Sequence, residues 1–117
     1  MKSSTKISPS KYNARKITID GLKFDSQKEA KRYTELALLE KAGEISGLKT
    51  QIKFELIPKQ NGERACNYIA DFVYTDMKSG QRVVEDVKGY KKGQAYAVFT
   101  IKRKLMLWVH GIKVREV

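Results

Sequence analysis

The chain has 117 residues, with 24 Lys or Arg against 13 Asp or Glu, and the resulting formal charge of +11 calls for polyanionic partners, nucleic acid ahead of an acidic membrane surface. That length makes one domain, and the expected class is a soluble protein inside the cell. No apolar run approaches the ~18 residues of a bilayer span, and Met1–Lys6 lacks the apolar core of a secretory signal. The single cysteine, Cys66, excludes an intramolecular disulfide and reads as a small buried hydrophobe.

Residues 1–16, rich in Ser and Lys and without apolar period, read either as a flexible basic arm that touches phosphates or as a terminus with no role. The folded domain is expected over 17–117. Lys16–Asp20 alternates, and Asp20–Gly21 is a hairpin-turn pair leading into Leu22–Phe24. Ser26 is a good N-cap, and Ala30, Tyr33, Leu36, Ala37 and Leu39 then recur at helical spacing as far as Gly43. Over 51–57 the chain alternates, with Ile52, Phe54 and Leu56 on one face and Gln51, Lys53 and Glu55 on the other, until Pro58 and Asn61–Gly62 close the run. Two further strands over 64–76 and 81–88, joined by Lys78–Gly80, complete a meander. A second helix over 94–109 carries Val98, Ile101, Leu105, Trp108 and Val109 on one side and ends at His110–Gly111, where the histidine complements the helix dipole. Residues 112–117 read as a last strand. The order hairpin, α, β, β, β, α, β predicts an α/β fold with a central mixed β-sheet flanked by helices.

Two strands place charge where apolar side chains belong. Burying a charge costs several kcal/mol unless it is paired or bound to a metal, so Asp71 in Tyr68–Tyr74, and Glu85, Asp86 and Lys88 in Arg82–Gly89, are candidate site residues. Alternation puts Asp86 and Lys88 on one face of their strand and Glu85 and Val87 on the other. A carboxylate that holds a divalent cation and an ammonium two residues on suit a phosphodiester, the cation activating water and the lysine offsetting developing negative charge. Asp71 supplies a second ligand if its strand lies alongside, and Mg²⁺, with Mn²⁺ able to substitute, needs only two or three such oxygens besides water. The plainer reading makes all three solvent-facing charges at strand ends.

Helical phase adds Glu29, which falls in the middle of the arc of Tyr33, Leu36 and Ala37 and so points toward the core. The same residue completes a capping box with Ser26, so a cap and a site role both stand. Lys102 falls inside the apolar arc of the second helix, with Arg103 and Lys104 outside it, and either meets an acid or phosphate or snorkels to solvent. Tyr90, Lys91, Lys92 and Tyr96 make either a basic, aromatic rim for DNA or a solvated charge run.

Phe24–Glu29, Tyr68–Phe72 and Val84–Gly89 resemble, in that order, the motifs of the PD-(D/E)XK nucleases, and more closely those of small phage and prophage proteins of that class. The resemblance covers nearly all of residues 12–117. It implies a restriction-endonuclease-like core in which Glu29, Asp71 and Asp86 are metal ligands, the Val87 carbonyl is another, and Lys88 is the catalytic lysine. Ala70 stands where the motif has its proline. Glu85–Asp86 offers two acids in a row, of which alternation favours Asp86. The expected function is a Mg²⁺-dependent DNA endonuclease acting on branched recombination intermediates such as Holliday junctions, in the cytoplasm of a bacterial host. A C2 homodimer would present two active sites. The alternative is a non-catalytic DNA-binding module that keeps the fold; membrane binding is disfavoured because neither helix sets an all-basic face against a broad apolar one.

Overall fold

Asp20 and Gly21 adopt φ of 53° and 78°, the left-handed pair that a two-residue hairpin needs, and fold β1 (Ile17–Ile19) onto β2 (Leu22–Phe24) with Ile19 opposite Leu22. The computed structural model describes residues 16–89 and 91–117. The expected arm over 1–16, apart from Lys16, and the expected contact residue Tyr90 therefore lie outside the described residues. Helix α1 (Gln27–Lys41) follows the hairpin, with the Ser26 hydroxyl accepting the Glu29 N–H at 3.1 Å. One half of the capping box is present; the Glu29 carboxylate turns elsewhere.

The main sheet has the order β3 (Ile45–Ile57), β4 (Cys66–Asp76), β5 (Arg82–Asp86), β6 (Arg115–Glu116), antiparallel except for the parallel β5/β6 pair. Helix α2 (Gly93–His110) provides the crossover that a parallel pair requires. The element order matches the expectation, and so does the mixed sheet flanked by helices. Two boundaries differ by three residues or more. β3 starts six residues ahead of the predicted run, because residues 45–50 pair with the far end of β4 despite the positive φ of Gly47 and the register shift between Ser46 and Lys49. The final strand shrinks to Arg115–Glu116, the segment that reaches β5.

One apolar cluster lies between the sheet and α2, around Phe54, Tyr68, Val84, Phe99 and Met106; the other lies under α1 and the hairpin, around Phe24, Leu36, Phe72 and Tyr74. Ala70 belongs to the first and Phe72 to the second, although residues two apart on a regular strand share a face. The ribbon therefore changes face at Asp71. Directly across from Asp71 in the β3/β4 register stands Gln51, whose φ of 54° is rare for a residue with a side chain.

The phase of α2 corrects the sequence reading. Phe99 and Met106 are its buried residues, whereas Val98, Ile101, Trp108 and Val109 are exposed, so the helix is turned by roughly a third of a turn from the predicted apolar side. The helix carries more apolar residues than one face can bury, and Phe99 and Met106 are the ones that pack with Tyr68 and Val84. Gly111, at φ 69°, ends the helix with its N–H on the Leu107 carbonyl. His110 does more than complement the dipole: its Nε2 lies 2.7 Å from the Glu55 carbonyl oxygen and its ring packs on Phe54.

Candidate functional site

Four elements converge where the ribbon changes face. The last β4/β5 pair is Phe72 with Glu85, and the next step in that register sets Asp71 against Asp86. There Asp71 replaces a ladder bond, its Oδ2 accepting the Val87 N–H at 2.8 Å. Its other oxygen accepts from Gln51 Nε2 at 3.2 Å, and the same amide donates to Glu29 Oε2 at 3.1 Å. Glu29 arrives from the first turn of α1 and is 7% exposed, pointing inward as helical phase requires. One side-chain amide thus spans two carboxylates brought from a helix and a strand 42 residues apart in sequence.

Asp86 and Lys88 share the neighbouring face. Lys88 Nζ lies 2.6 Å from Asp86 Oδ2 and 3.8 Å from the centre of the Phe99 ring, while the Tyr68 hydroxyl donates to Asp86 Oδ1 at 3.0 Å. The backbone here is held on both sides: the Lys88 N–H reaches the Val117 carbonyl, the Val117 N–H reaches the Asp86 carbonyl, and Lys28 donates to the Lys88 carbonyl. Lys88 is pinned in place without being buried.

Glu85 points to the opposite face, as alternation dictates, and is fully buried. Arg32 meets it in a two-pronged contact at 2.8 and 2.6 Å, Tyr74 donates its hydroxyl, and Arg115 approaches to 3.7 Å. That charge is fully paired and separated from Asp86 by the sheet. Its role is to tie α1 to β5, which also fixes the rotation of the helix that carries Glu29 one turn earlier.

Electrostatics follow from the crowding. Burial, with the Asp71 charge adding to it, pushes the Glu29 carboxyl up to about 7. Burial also raises Asp71, to about 6, with the Asp86 charge adding and the Val87 N–H opposing. The Tyr68 phenol is pushed up by burial and by Asp86, so it remains a donor. At both carboxyls burial is the larger cause and the neighbouring acid the smaller one.

The expected rim divides. Lys102 lines the same groove as Asp86 and Lys88. Lys91 and Tyr96 do not turn toward those residues: Lys91 Nζ is 3.9 Å from Glu116, Tyr96 donates to Glu116 at 2.8 Å, and the Tyr96 ring packs on Phe99. Tyr96, expected in the basic, aromatic rim, is half-buried and engaged at both ends, so its ring is not an open face for stacking. Lys92 is the exposed N-cap residue of α2.

Gln51 was legible only as a polar position on a strand. Its signal is the pairing register with Asp71, which emerges once β3 and β4 are aligned. Among the described residues, no three His, Cys, Asp or Glu side chains lie close enough together to hold a metal ion, because Gln51 stands between Glu29 and Asp71 and Lys88 engages Asp86. No helix among them is long and apolar enough to cross a membrane.

Residues 9–114 match the model of a family described as Protein of unknown function (DUF1064). No curated protein and no solved structure matches the chain.

Proposed function

The chain belongs to the DUF1064 family, and we propose that it is a metal-dependent DNA endonuclease built on a restriction-endonuclease-like core. The observation that carries this reading is the Asp86–Lys88 pair set beside the Glu29–Gln51–Asp71 bridge on four different elements.

The donor set fits a hard divalent cation. Glu29, Asp71, Asp86 and the Val87 carbonyl are all oxygen donors, and burial, with neighbouring carboxylate charge adding to it, raises the pKa of Glu29 and Asp71, a cost of ionisation that a bound cation would offset. These residues would hold Mg²⁺, with Mn²⁺ able to substitute, once the Gln51 amide releases the two carboxylates it spans. A bound cation would supply Lewis-acid polarisation of the phosphodiester and a more acidic attacking water. Lys88 brings its ammonium to the same face as Asp86, where it offsets charge that builds on the phosphoryl oxygens. Tyr68 and the Val87 N–H orient Asp86 and Asp71 and need not move during the reaction. Lys102, with Lys91 and Lys92 further out, contributes phosphate contacts that position the strand without reading its sequence.

The proposed substrates are branched recombination intermediates such as Holliday junctions, handled in the cytoplasm of a bacterial host by a C2 homodimer with one active site per subunit. A second reading, a non-catalytic DNA-binding module, is favoured by one observation, the hydrogen-bonded separation of the acids by Gln51. The two are told apart by incubating the protein with junction, single-stranded and duplex DNA in Mg²⁺, Mn²⁺ or EDTA. Cutting that needs the metal, and that disappears in Lys88→Ala and Asp86→Asn while salt-dependent binding persists, supports the endonuclease. Binding without cutting in either metal selects the module.

A further inference from the structure

The groove beside Asp86 and Lys88 has a lining that phosphate contacts alone do not call for. It encloses about 340 Å³ where α2 passes the start of β4, with Lys53, Lys88 and Lys102 supplying its charge and Ile69, Val98 and Phe99 an apolar wall. Ile69 and Val98 are 52% and 51% exposed, so this wall faces solvent. Asp86 is already paired with Lys88, which leaves the groove cationic.

A polyanion accounts for the lysines. It does not account for two branched aliphatic side chains held half-exposed between them, since apolar surface left in water forgoes the free energy of burial. Continuous duplex DNA presents phosphates while its base faces stay stacked on one another. An unpaired nucleotide presents both an anionic phosphate and a flat apolar base, which proteins take up by stacking and apolar contact beside basic residues. Asn67, also in the groove, adds the paired donor and acceptor that a base edge can use. Ile101 and Trp108, 60% and 83% exposed, extend the apolar strip along α2, Trp108 lying roughly 15 Å beyond Val98.

Resting on the endonuclease reading of the same site, we propose that this groove receives an unpaired nucleotide next to the scissile phosphate, its base against Ile69 and Val98 and its phosphate toward Lys53 and Lys102. The substrate is then DNA unpaired at the cut: a single strand, a flap or the opened arm of a branch. The strip through Ile101 to Trp108 carries the bases that follow.

Binding is read in EDTA, separately from cutting, by fluorescence anisotropy at one salt concentration. The probes are a single strand, the same sequence as continuous duplex, and an abasic strand with the same phosphates and no bases. The single strand should bind roughly tenfold more tightly than the other two, through burial of the base face against Ile69 and Val98. Replacing Ile69→Gln and Val98→Gln together should erase that preference while duplex affinity stays within about twofold, because the duplex relies on the lysines. Equal wild-type affinity for the single and abasic strands overturns the proposal, and this comparison needs no variant. So does an equal loss on all three probes, or a double variant that changes sedimentation from dimer to monomer with its DNA preference intact, which would make the wall a subunit interface. The endonuclease reading is scored apart from this: a strand bound with the expected preference yet left uncut in Mg²⁺ and Mn²⁺ refutes the nuclease and upholds the groove.

Discussion

Glu85 and Asp86 are adjacent acids on one strand with opposite duties. Asp86 shares its face with Lys88, a site-like pairing at the mouth of a groove, whereas Glu85 is sealed under α1 with Arg32, Tyr74 and Arg115 around it. Strand alternation separates the two in the sequence; the identity of the buried partner does not emerge there, because Arg32 lies 53 residues away and its meeting with Glu85 depends on how α1 docks. Removing one partner of a buried ion pair strands the other, so Glu85→Ala should destabilise by on the order of 3–5 kcal/mol, with the lower end favoured because Arg32 can regain some water. Glu85→Gln keeps the shape and should cost less. Urea unfolding measures both, and Glu85→Gln, assayed well below its midpoint, should still cut if Asp86 and Lys88 carry the chemistry. An unchanged unfolding midpoint in Glu85→Ala would show that the pair does not hold α1 to the sheet.

At the scale of elements, the two helices were not equally legible. In α1 the phase of Glu29 was readable because Ala30, Tyr33, Leu36 and Ala37 share one arc, although Leu39, expected with them, is exposed together with Leu38, and the Ser26 cap fixes where the helix starts. In α2 apolar residues cover most of the circumference, so periodicity could not say which arc faces the sheet, and packing chose Phe99 and Met106. The strands show the same limit in another form: alternation through Gln51–Leu56 was visible, but the change of face at Gln51 and Asp71 comes from a left-handed backbone and a cross-strand partner, neither of which has a local sequence signature. The α2 result is testable by stability alone. Phe99→Ala should cost about 3–5 kcal/mol, the range for removing a buried aromatic ring, whereas Trp108→Ala should stay within about 0.5 kcal/mol, as for an exposed surface change. Comparable losses for the two in denaturant titrations would return the helix to the orientation that its amphipathic pattern suggests.

For the molecule as a whole, the acid cluster couples folding to pH and, on the proposed endonuclease reading, to divalent cations. Glu29 rises from 4.5 to about 7 and Asp71 from 3.8 to about 6, so between roughly pH 4 and 7 the folded protein retains protons that the unfolded chain has released. Stability contributed by these groups is therefore fully present below their unfolded values and is lost as pH rises through the folded ones. Other charges act the opposite way: with +11 overall, acidification adds repulsion, and Glu116, lowered by its Tyr96 and Arg103 partners against the effect of burial, contributes stability that acid removes. The cluster is isolated by the difference between wild type and Glu29→Gln, measured by unfolding in EDTA across this range. Relative to the variant, wild type should lose up to about 3 kcal/mol as pH rises from the unfolded to the folded pKa of Glu29, since each tenfold change in proton affinity is worth about 1.4 kcal/mol. Saturating Mg²⁺ should reverse the sign of that difference near neutral pH, because a cation that binds the ionised carboxylates stabilises the full ligand set more than the set that lacks Glu29. Parallel pH curves in EDTA would place Glu29 in an ordinary carboxylate environment, and a difference that Mg²⁺ leaves untouched would remove it from the ligand set while leaving its bond to Gln51 in place.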